Sequence, residues 1–351
     1  MRNRFLAFAV GGAALLAFPA TGMAHTITVT PSESIQHAVN HAHRGDVIKV
    51  QEGVYHQSVA IRRNGITLNG AGADLKAGTV IKPGHAKRCQ GGGSGICILS
   101  HKVGDAHVRT KNTTVKGFVV RGFDDTGLIA VGARRTTITH NRFGNDGEYG
   151  AAAFSSIRTK FVRNLATGNH EAGFYVGDSP HAKALLRHNK ARGNGSFGFF
   201  LRDSAHGRAL NNTVVHNCLG IGVLNTGAPG DARRWLVKGN TARANNKFCK
   251  PEEGGPPISG TGIGLIGAKQ TVVRDNSVRG NKPRNASAPF AGGIVVISSK
   301  AFGGSDPSSD TIAHNFAFNN QPADIRWDGS GTDNRFRANK CGTSQPPGLC
   351  G

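Results

Sequence analysis

One short pattern recurs between about residue 114 and residue 225, and it limits the possible folds more than any other feature. In each copy an asparagine ends one short apolar stretch, and a glycine opens the next stretch a few residues later. Successive asparagines stand 23, 25 and 23 residues apart before longer steps follow: Asn141, Asn164, Asn189, Asn212, Asn240, Asn276 and Asn315. A period in the low twenties with two or three short strands predicts an all-β fold, in which each copy is one coil of a parallel β-solenoid.

A helical repeat does not fit this pattern. It would need apolar residues at helical spacing over ten or more positions, and these runs are shorter and rich in glycine and β-branched residues. We interpret the recurring asparagine as architecture rather than chemistry. Asparagine tolerates the left-handed backbone of a sharp corner, and stacked side-chain amides can hydrogen-bond from coil to coil.

The first 24 residues have the three parts of a secretory signal peptide. Arg2 and Arg4 form a basic head, residues 5–18 an apolar run, and residues 22–24 a small-residue cleavage site. The apolar run is too short to span a bilayer. We therefore expect a signal peptide at residues 1–24, a single domain at residues 25–351, and a secreted protein, extracellular or periplasmic, without stable membrane insertion.

The formal net charge of +22 falls only to +20 when the signal peptide is removed. In a secreted protein this charge favours an anionic partner, such as a polyuronate, a teichoic acid, an anionic membrane surface or extracellular DNA. Nucleic acid is not the expected partner, because the chain has no recognised binding motif and few aromatic residues. The alternative is that the charge serves only solubility. We expect the protein to be a monomer.

Six cysteines in an exported chain are typical of disulfides. Fifteen pairings are possible on paper, and the positions favour three short-range pairs: Cys89 with Cys97, Cys218 with Cys249, and Cys341 with Cys350. Each pair would fasten a loop or tail to a neighbouring coil. No pair has zinc-finger spacing, so a metal site at these cysteines is not expected.

A short helix is predicted between Thr30 and Asn40, directly after the signal peptide. Ser32 can cap this helix, and three apolar residues fall on one of its faces. Such a helix would cover the first coil and block pairing of its open edge with other chains. We therefore expect an N-terminal capping helix.

The segment that follows resembles the start of the parallel β-helix in one known superfamily. Its motifs are G-D-x-I-x-V at residues 45–50, G-x-Y at residues 53–55, and I-T-L-x-G-x-G at residues 66–72. With the helix before them, they are similar to the right-handed parallel β-helix proteins of the pectin-lyase-like superfamily. The resemblance covers nearly all of the mature chain and implies one right-handed β-helix of roughly ten coils. It does not imply one activity, since the superfamily includes lyases, hydrolases, epimerases, tailspikes, adhesins and non-catalytic proteins.

Aligning the central coils on the glycine that opens each strand predicts which side chains face outward. Large apolar residues stand one and three positions after that glycine, so these positions should face the core. Because side chains alternate along a strand, positions two before, two after and four after the glycine should share the outer face. These positions hold Asp125, Glu148, Glu171, Tyr175, Phe200 and Arg202, and Asp178 and Asp203 follow just past the strands.

Three outward carboxylates at the coil spacing suggest chemistry. Like charges this close raise one another's pKa unless a cation lies between them. We therefore expect either a calcium site at Asp125, Glu148 and Glu171, or an acid and base pair at Glu148 and Glu171. The alternative is ordinary pairing of surface acids with neighbouring arginines and lysines, which contributes little.

The remaining outward residues would complete a binding site for an acidic sugar. Arg202 would bind a uronate carboxylate or remove its α-proton. Tyr175 and Phe200 would stack on sugar rings, unless they pack under a loop instead. Asp178 and Asp203 would contact substrate, although their Asp-Ser-x-His segments also fit capped corners.

Long loops flank this strand column on both sides and predict the walls of a groove, the shape that a polymer needs. Two of them precede the column, at residues 245–259 and 282–290, and two follow it, at residues 227–235 and 299–310. Lys282, Arg284, Arg233 and Arg234 would add positive charge to these walls.

The sequence therefore predicts a secreted β-helix protein that binds an acidic polysaccharide. In one hypothesis the protein cleaves this polymer by β-elimination. In the other it is a non-catalytic envelope or matrix protein that adheres to anionic glycans. The carboxylate and histidine motifs of a polygalacturonase are not matched, because Asp125 and His206 lie 81 residues apart and on opposite sides of the strand.

Overall fold

This computed structural model of the protein describes residues 24–85, 88–89, 93–103, 106–250, 255–284 and 287–351. The predicted signal peptide, apart from Ala24, lies outside the described residues. The rest of the chain winds into a parallel β-helix, and each coil contributes one strand to each of three parallel sheets. The sheets contain twelve, eleven and eleven strands, so the solenoid has eleven to twelve coils rather than roughly ten.

Every strand in these sheets pairs in parallel with strands one coil away. Sheet 1 consists of Thr26–Val29, Val47–Val50, Thr67–Gly70, Thr114–Lys116, Thr137–Thr139, Lys160–Val162, Leu185–Arg187, Arg208–Leu210, Leu236–Lys238, Val272–Arg274, Thr311–Ala313 and Arg335–Arg337. Sheet 2 consists of Gly53–His56, Thr79–Lys82, Phe118–Arg121, Arg142–Gly144, Leu165–Thr167, Lys190–Arg192, Thr213–Val215, Thr241–Arg243, Ser277–Arg279, Phe316–Phe318 and Lys340–Cys341. Sheet 3 consists of Val59–Ile61, Ile96–Leu99, Leu128–Val131, Tyr149–Phe154, Ala172–Ser179, Phe197–Ser204, Leu219–Leu224, Thr261–Ile266, Gly292–Ile297, Ile325–Trp327 and Ser344–Gln345. His101–Val103 and Ala106–Val108 form a separate antiparallel pair.

Helix is scarce in this fold. An α-helix spans Ile35–His41 and a 3-10 helix spans Lys300–Phe302. The side chain of Ser34, not Ser32, caps the α-helix by accepting a hydrogen bond from the His37 N–H at 3.1 Å, so the predicted cap was wrong. The capping role of the helix over the first coil stays a prediction. No helix in the described part of the chain is long and apolar enough to cross a membrane.

The recurring asparagines form a buried ladder at the corner between sheets 1 and 2. Each amide N–H₂ donates to the side-chain oxygen of the ladder asparagine one coil on, at 3.2 Å from Asn141 to Asn164 and 3.0 Å from Asn164 to Asn189. A second ladder lies at the corner between sheets 2 and 3 and continues from Asn169 to Asn194 at 2.9 Å. Coil-to-coil bonding of the amides is therefore confirmed.

The left-handed backbone at this corner belongs to a different residue than we expected. The residue before the asparagine adopts it, with φ of 54° at His140, 54° at Arg163 and 56° at His188. The asparagine itself then points inward, where its amide also donates to a backbone carbonyl: Asn164 binds the Ile138 oxygen at 2.9 Å. The ladder therefore satisfies polar groups that would otherwise be buried without partners.

All three predicted disulfides are present, and their Cα–Cα distances of 5.6, 6.1 and 5.5 Å suit the bond. Cys89 bonds Cys97, Cys218 bonds Cys249, and Cys341 bonds Cys350. Three disulfides are typical of proteins that fold in an oxidising environment.

Asp310 predicts a pH dependence of stability. Burial raises the pKa of this carboxyl to about 8, although it accepts a hydrogen bond from the Thr271 N–H. In the unfolded chain the pKa is about 3.9, so between these values the folded state holds a proton that the unfolded state has lost. The stability contributed by the protonated acid is therefore complete at low pH and is lost as the pH rises toward about 8.

The Asp310→Asn variant should remove this loss, because asparagine resembles the protonated acid. We expect it to be more stable than the wild type at pH 9 by about 2–4 kcal/mol and nearly equal at pH 4. Thermal denaturation at both values measures the difference, with the exposed Asp333→Asn as control. Parallel pH profiles for wild type and Asp310→Asn would show that burial of this carboxyl has no such effect.

Candidate functional site

A cleft of about 550 Å³ lies on the outer face of sheet 3. Its floor is formed by the neighbouring strands Tyr149–Phe154, Ala172–Ser179 and Phe197–Ser204, of which the last two are the longest strands of that sheet. This face carries a second apolar cluster, separate from the core inside the solenoid. The cleft is thus where long strands, buried aromatic rings and several charged side chains meet.

The predicted coil register is confirmed at the backbone. The Glu148 N–H donates to the Asp125 carbonyl at 2.7 Å, and the Glu171 N–H donates to the Glu148 carbonyl at 2.9 Å. One step further into the strands, Ala152 pairs with Tyr175 and Tyr175 pairs with Phe200. The residues assigned to the outer face therefore do stack from coil to coil.

The side chains of the carboxylate stack do not all reach the cleft. Glu148 and Glu171 line it, but Asp125 does not. Asp125 is exposed one coil earlier, where its N–H donates to the Gly93 carbonyl at 2.9 Å. The cleft therefore holds two members of the predicted trio, and Asp178 joins them at its edge.

Tyr149 is a cleft residue that the sequence alignment missed. It directly precedes the aligned glycine, a position that strict alternation points inward, yet it belongs to the outer apolar cluster. The strand bends at the glycine. In the next coil, a Cβ atom on Gly173 would lie 2.9 Å from the Asn194 amide nitrogen and 2.9 Å from the Ala191 methyl group. Two consecutive positions therefore face inward, and the residue before the glycine turns out.

The aromatic rings form two stacks under the cleft, which meet edge to face at 5.3 Å between Tyr175 and Phe200. The Tyr175 ring lies 4.6 Å from Tyr149 and 4.5 Å from Phe154, and the Phe200 ring lies 4.1 Å from Phe197. Room for Tyr175 comes from Gly177, because a Cβ atom there would overlap the phenol ring. Tyr175 is 1% exposed and Phe200 6% exposed. Of the two alternatives for these rings, packing under neighbouring rings and loops describes both. Both still line the cleft, so stacking on sugar rings stays a prediction.

Arg202 is held by a buried carboxylate. Its Nε atom lies 3.2 Å from Asp203 Oδ2, and the side chains are 36% and 0% exposed, respectively. Asp203 also accepts a hydrogen bond from the Thr226 N–H at 2.8 Å. Burial by itself would lower the pKa of Arg202, but Tyr175 and Asp203 raise it above its ordinary value. Arg202 therefore stays charged, which suits an anion-binding role better than removal of a proton.

Asp203 itself does not line the cleft, so its assignment as a substrate contact was wrong. The Asp203 carboxylate is buried and accepts hydrogen bonds from the Thr226 N–H and hydroxyl. Asp203 is instead a positioning residue for Arg202.

Both tyrosines stay protonated at neutral pH. Burial raises the pKa of the Tyr149 phenol far above its ordinary value, and the Glu171 and Glu148 carboxylates add to the rise. The same phenol forms a hydrogen bond with the Glu171 side chain. Burial likewise raises the pKa of Tyr175, with a further contribution from Asp178. Each phenol can therefore donate a hydrogen bond or a proton inside the cleft.

Three of the four predicted loops line the cleft, whereas residues 227–235 do not, and the charges of the walls differ from those expected. Residues 245–259 contribute Lys250 and Ile258, residues 282–290 contribute Phe290, and residues 299–310 contribute Phe302. The disulfide from Cys218 fastens the first loop at Cys249. The four basic residues expected in the walls do not line the cleft: Lys282, Arg284, Arg233 and Arg234. Arg233 and Arg234 lie past the strand ends, at the corner that leads into sheet 1.

Comparison with known families now decides the class of the chain. The sequence model of the family described as "Right handed beta helix region" matches residues 64–229 and 126–341, which together span most of the chain. The chain belongs to the right-handed β-helix family. No curated protein matches the sequence.

Several solved β-helix structures resemble this family member in fold. The A-module of mannuronan C-5 epimerase AlgE6 from Azotobacter vinelandii is 16% identical, with a TM-score of 0.55 and 88% of each chain covered. The catalytic unit of a GH87 α-1,3-glucanase from Streptomyces thermodiastaticus is 13% identical, with a TM-score of 0.64, covering 96% of this chain and 68% of the glucanase. The Dettilon tailspike protein is 14% identical, with a TM-score of 0.56, covering 90% and 68%. At these identities the likeness shows the fold alone.

A metal site in this β-helix protein has suitable ligand types. Glu148, Glu171 and Asp178 line the cleft, and carboxylate oxygens are the ligands that calcium prefers. Among the residues that the structure describes, no three acidic, histidine or cysteine side chains converge closely enough to hold an ion. The calcium site at Asp125, Glu148 and Glu171 therefore stays a prediction.

Proposed function

We infer that this β-helix protein is exported, binds an acidic polysaccharide in the cleft on sheet 3, and cleaves it by β-elimination. The observation that carries the proposal is the presence of a charged arginine, three carboxylates and two protonated tyrosines in one cleft floored by aromatic rings. Structural neighbours that act on polysaccharides, including a mannuronan epimerase and a glucanase, give further support. We expect the active form to be a monomer whose signal peptide has been removed.

β-Elimination next to a uronate carboxylate needs three contributions. A cation must stabilise the carboxylate so that its α-proton becomes acidic, a base must take that proton, and an acid must protonate the leaving oxygen. As the proton leaves, its electron pair forms a carbon–carbon double bond and the bond to the leaving oxygen breaks. The product is therefore an unsaturated uronate at the new chain end.

The cleft residues can be assigned to these three steps. Arg202, oriented by Asp203, binds the uronate carboxylate. Glu171 accepts the α-proton, and the hydrogen bond from Tyr149 holds it in place. The Tyr175 phenol, which its raised pKa keeps protonated at neutral pH, donates a proton to the leaving oxygen. In the alternative in which calcium binds, Glu148 and Glu171 would hold it, Glu171 would not be the base, and the ion would assist Arg202 in neutralising the uronate.

The test is ultraviolet absorbance of the unsaturated uronate product. Purified mature protein is incubated with pectate, alginate and glycosaminoglycans, each with calcium and with a chelator. A rise in absorbance on one polymer supports the proposal, and its calcium dependence decides the role of the metal. No rise on any of these polymers, with folded protein, would reject cleavage by β-elimination.

The second candidate is a non-catalytic envelope or matrix protein that adheres to anionic glycans. The large positive net charge favours it, since charge alone can bind a polyanion. This function predicts binding that weakens steeply with salt and shows no turnover. The absorbance assay, combined with binding to the same polymers, distinguishes the two candidates.

A further inference from the structure

A column of basic residues lies outside the cleft, at the corner between sheets 3 and 1. It contains one residue from each of five successive coils, and we call it the cationic ladder: Arg135, Arg158, Lys183, His206 and Arg234. The backbone places these residues in register. The N–H of each ladder residue donates to a carbonyl in the next coil, that of the residue just before the corresponding corner residue. Examples are Arg135 to Ile157 at 2.8 Å and Lys183 to Ala205 at 3.2 Å. The ladder charges are therefore repeated at the coil spacing of about 4.8 Å.

The backbone at these positions would suit other residues better. Each ladder residue has a left-handed conformation, with φ of 57° at Arg135, 60° at Arg158 and 45° at Lys183. Glycine and asparagine adopt this conformation most readily, and Asn112 occupies the same position one coil before Arg135. Local folding therefore does not explain why four long basic side chains and a histidine fill five consecutive corners.

The charge of this face is compensated at few positions. The sheet 1 strands and corners of the coils from Asn112 to His206 contain eleven lysines and arginines and no aspartate or glutamate: residues 109–116, 132–141, 155–164, 180–189 and 205–212. The same stretch in the coil of Arg234 contains one acid, Asp231, which pairs with Lys269 at 3.3 Å. Arg135, Arg158 and Lys183 are exposed, and among the described residues no carboxylate forms an ion pair with any of them. The positive charges also act on one another within the ladder. Burial lowers the pKa of His206, and the charges of Arg234, Arg233 and Lys183 lower it further.

A shallow groove of about 490 Å³ runs along this face, lined by Asn112, Thr114, Arg135, Thr137, Arg158 and Lys160. Its hydroxyl and amide groups stand beside the cations, which suits a ligand with both hydroxyls and repeated negative charge. Within the five segments the only aromatic residue is Phe161, which is buried in the core. A single-stranded nucleic acid would usually be stacked on exposed aromatic rings, so the groove fits an acidic polysaccharide better.

We propose that the cationic ladder and its groove form a second binding surface, which holds a linear acidic polysaccharide along the solenoid axis while the cleft acts on it. None of the ladder residues lines the cleft, so the two surfaces are separate. The choice of polymer class rests on the proposed function, whereas the surface itself does not. The polymer gains affinity from the ladder, and a short oligosaccharide that fills only the cleft does not.

The test compares two triple variants that remove equal charge. Arg135→Asn, Arg158→Asn and Lys183→Asn together remove three ladder charges, and Asn112 shows that asparagine is compatible with this corner. The control combines Lys190→Gln, Arg192→Gln and Arg243→Gln, which are exposed on sheet 2. Binding of the full mature protein to immobilised polygalacturonate and alginate is measured over a range of salt concentrations.

We expect the ladder variant to bind at least about tenfold more weakly at low salt, with a shallower dependence of affinity on salt. The control should change affinity less than about threefold. Equal losses in both variants, or no loss in the ladder variant, would overturn the proposal. Tighter binding of wild type to duplex or single-stranded DNA than to either glycan, lost in the ladder variant, would overturn the choice of polymer.

Failure of the ladder and failure of the cleft are distinguishable. Turnover of a short uronate oligosaccharide reports on the cleft alone and should be equal in wild type and ladder variant. One outcome is that neither the wild type nor the ladder variant cleaves any substrate, while the ladder variant still loses affinity for the polymer. That result would reject the proposed cleavage in the cleft and support the second binding surface. If the ladder variant fails to fold by circular dichroism, Arg135→Asn with Arg158→Asn gives the same comparison.

Discussion

The Glu171→Gln variant is expected to lose at least about a hundredfold in kcat on the polysaccharide that the protein cleaves. Glutamine keeps the size of the side chain and an oxygen that can accept the Tyr149 hydrogen bond, but it cannot accept the α-proton. KM should change much less than kcat, because Arg202 and the aromatic floor still bind the substrate. Steady-state ultraviolet kinetics at several substrate concentrations separates the two parameters.

Asp125→Asn is the matched control for this variant. Asp125 stacks on Glu148 through the backbone, as Glu148 stacks on Glu171, but its side chain lies outside the cleft. We expect this variant to keep wild-type turnover. A large, calcium-reversible loss in Asp125→Asn would instead support the three-carboxylate calcium site. Unchanged turnover in Glu171→Gln would remove Glu171 from the mechanism, and unchanged binding with no turnover in any variant would favour the adhesive function.

Much of the cleft could be predicted because the repeat carries its own register. Once the coils are aligned on one glycine, backbone hydrogen bonding brings residues with the same offset together, whatever their chemistry. Glu148, Glu171 and Arg202 therefore fall in one cleft, as their spacing predicts. The offset says nothing about whether a side chain points in or out at a bend, which is why Tyr149 was missed.

Burial of the cleft rings could not be predicted from the strands alone. Tyr175 and Phe200 face outward from sheet 3, as alternation requires, but residues far along the chain cover them. Phe290 and Phe302 reach the same cleft from loops about a hundred residues later. The path of such loops depends on contacts between distant residues, such as the disulfide between Cys218 and Cys249. The positions of the cysteines in the sequence suggest this pairing but do not give its location in the fold.

The second asparagine ladder was visible in the sequence but was not recognised. An asparagine stands five residues after most asparagines of the first ladder, as Asn169 follows Asn164 and Asn194 follows Asn189, and Asp146 takes this place after Asn141. The residues between them form one short strand of sheet 2, so both corners of that strand carry the same device. Asparagines that recur at two positions of the repeat therefore identify two corners of the coil, whereas one recurring position identifies only one corner.

The ladders also predict the largest loss of stability in this protein. The Asn189 amide donates to the Phe161 carbonyl at 2.8 Å and to Asn212 Oδ1 at 3.1 Å. Its oxygen accepts from the Asn164 N–H and from the Asn164 amide, both at 3.0 Å. Asn189 is 2% exposed, so water cannot readily replace these partners. Asn189→Ala removes these four buried hydrogen bonds, and each loss costs about 1–3 kcal/mol.

We therefore expect Asn189→Ala to lower the free energy of unfolding by about 3–5 kcal/mol, less than the sum because the coils can relax. Urea denaturation with the disulfides intact measures the loss, and the slope of the transition shows whether it still unfolds as one unit. Lys190→Ala is the control, since this neighbour is exposed and should change stability by less than about 0.5 kcal/mol. Equal effects of the two substitutions would mean that the coils are held together by their apolar core and strand pairing, with the amide ladder contributing only the local shape of the corner.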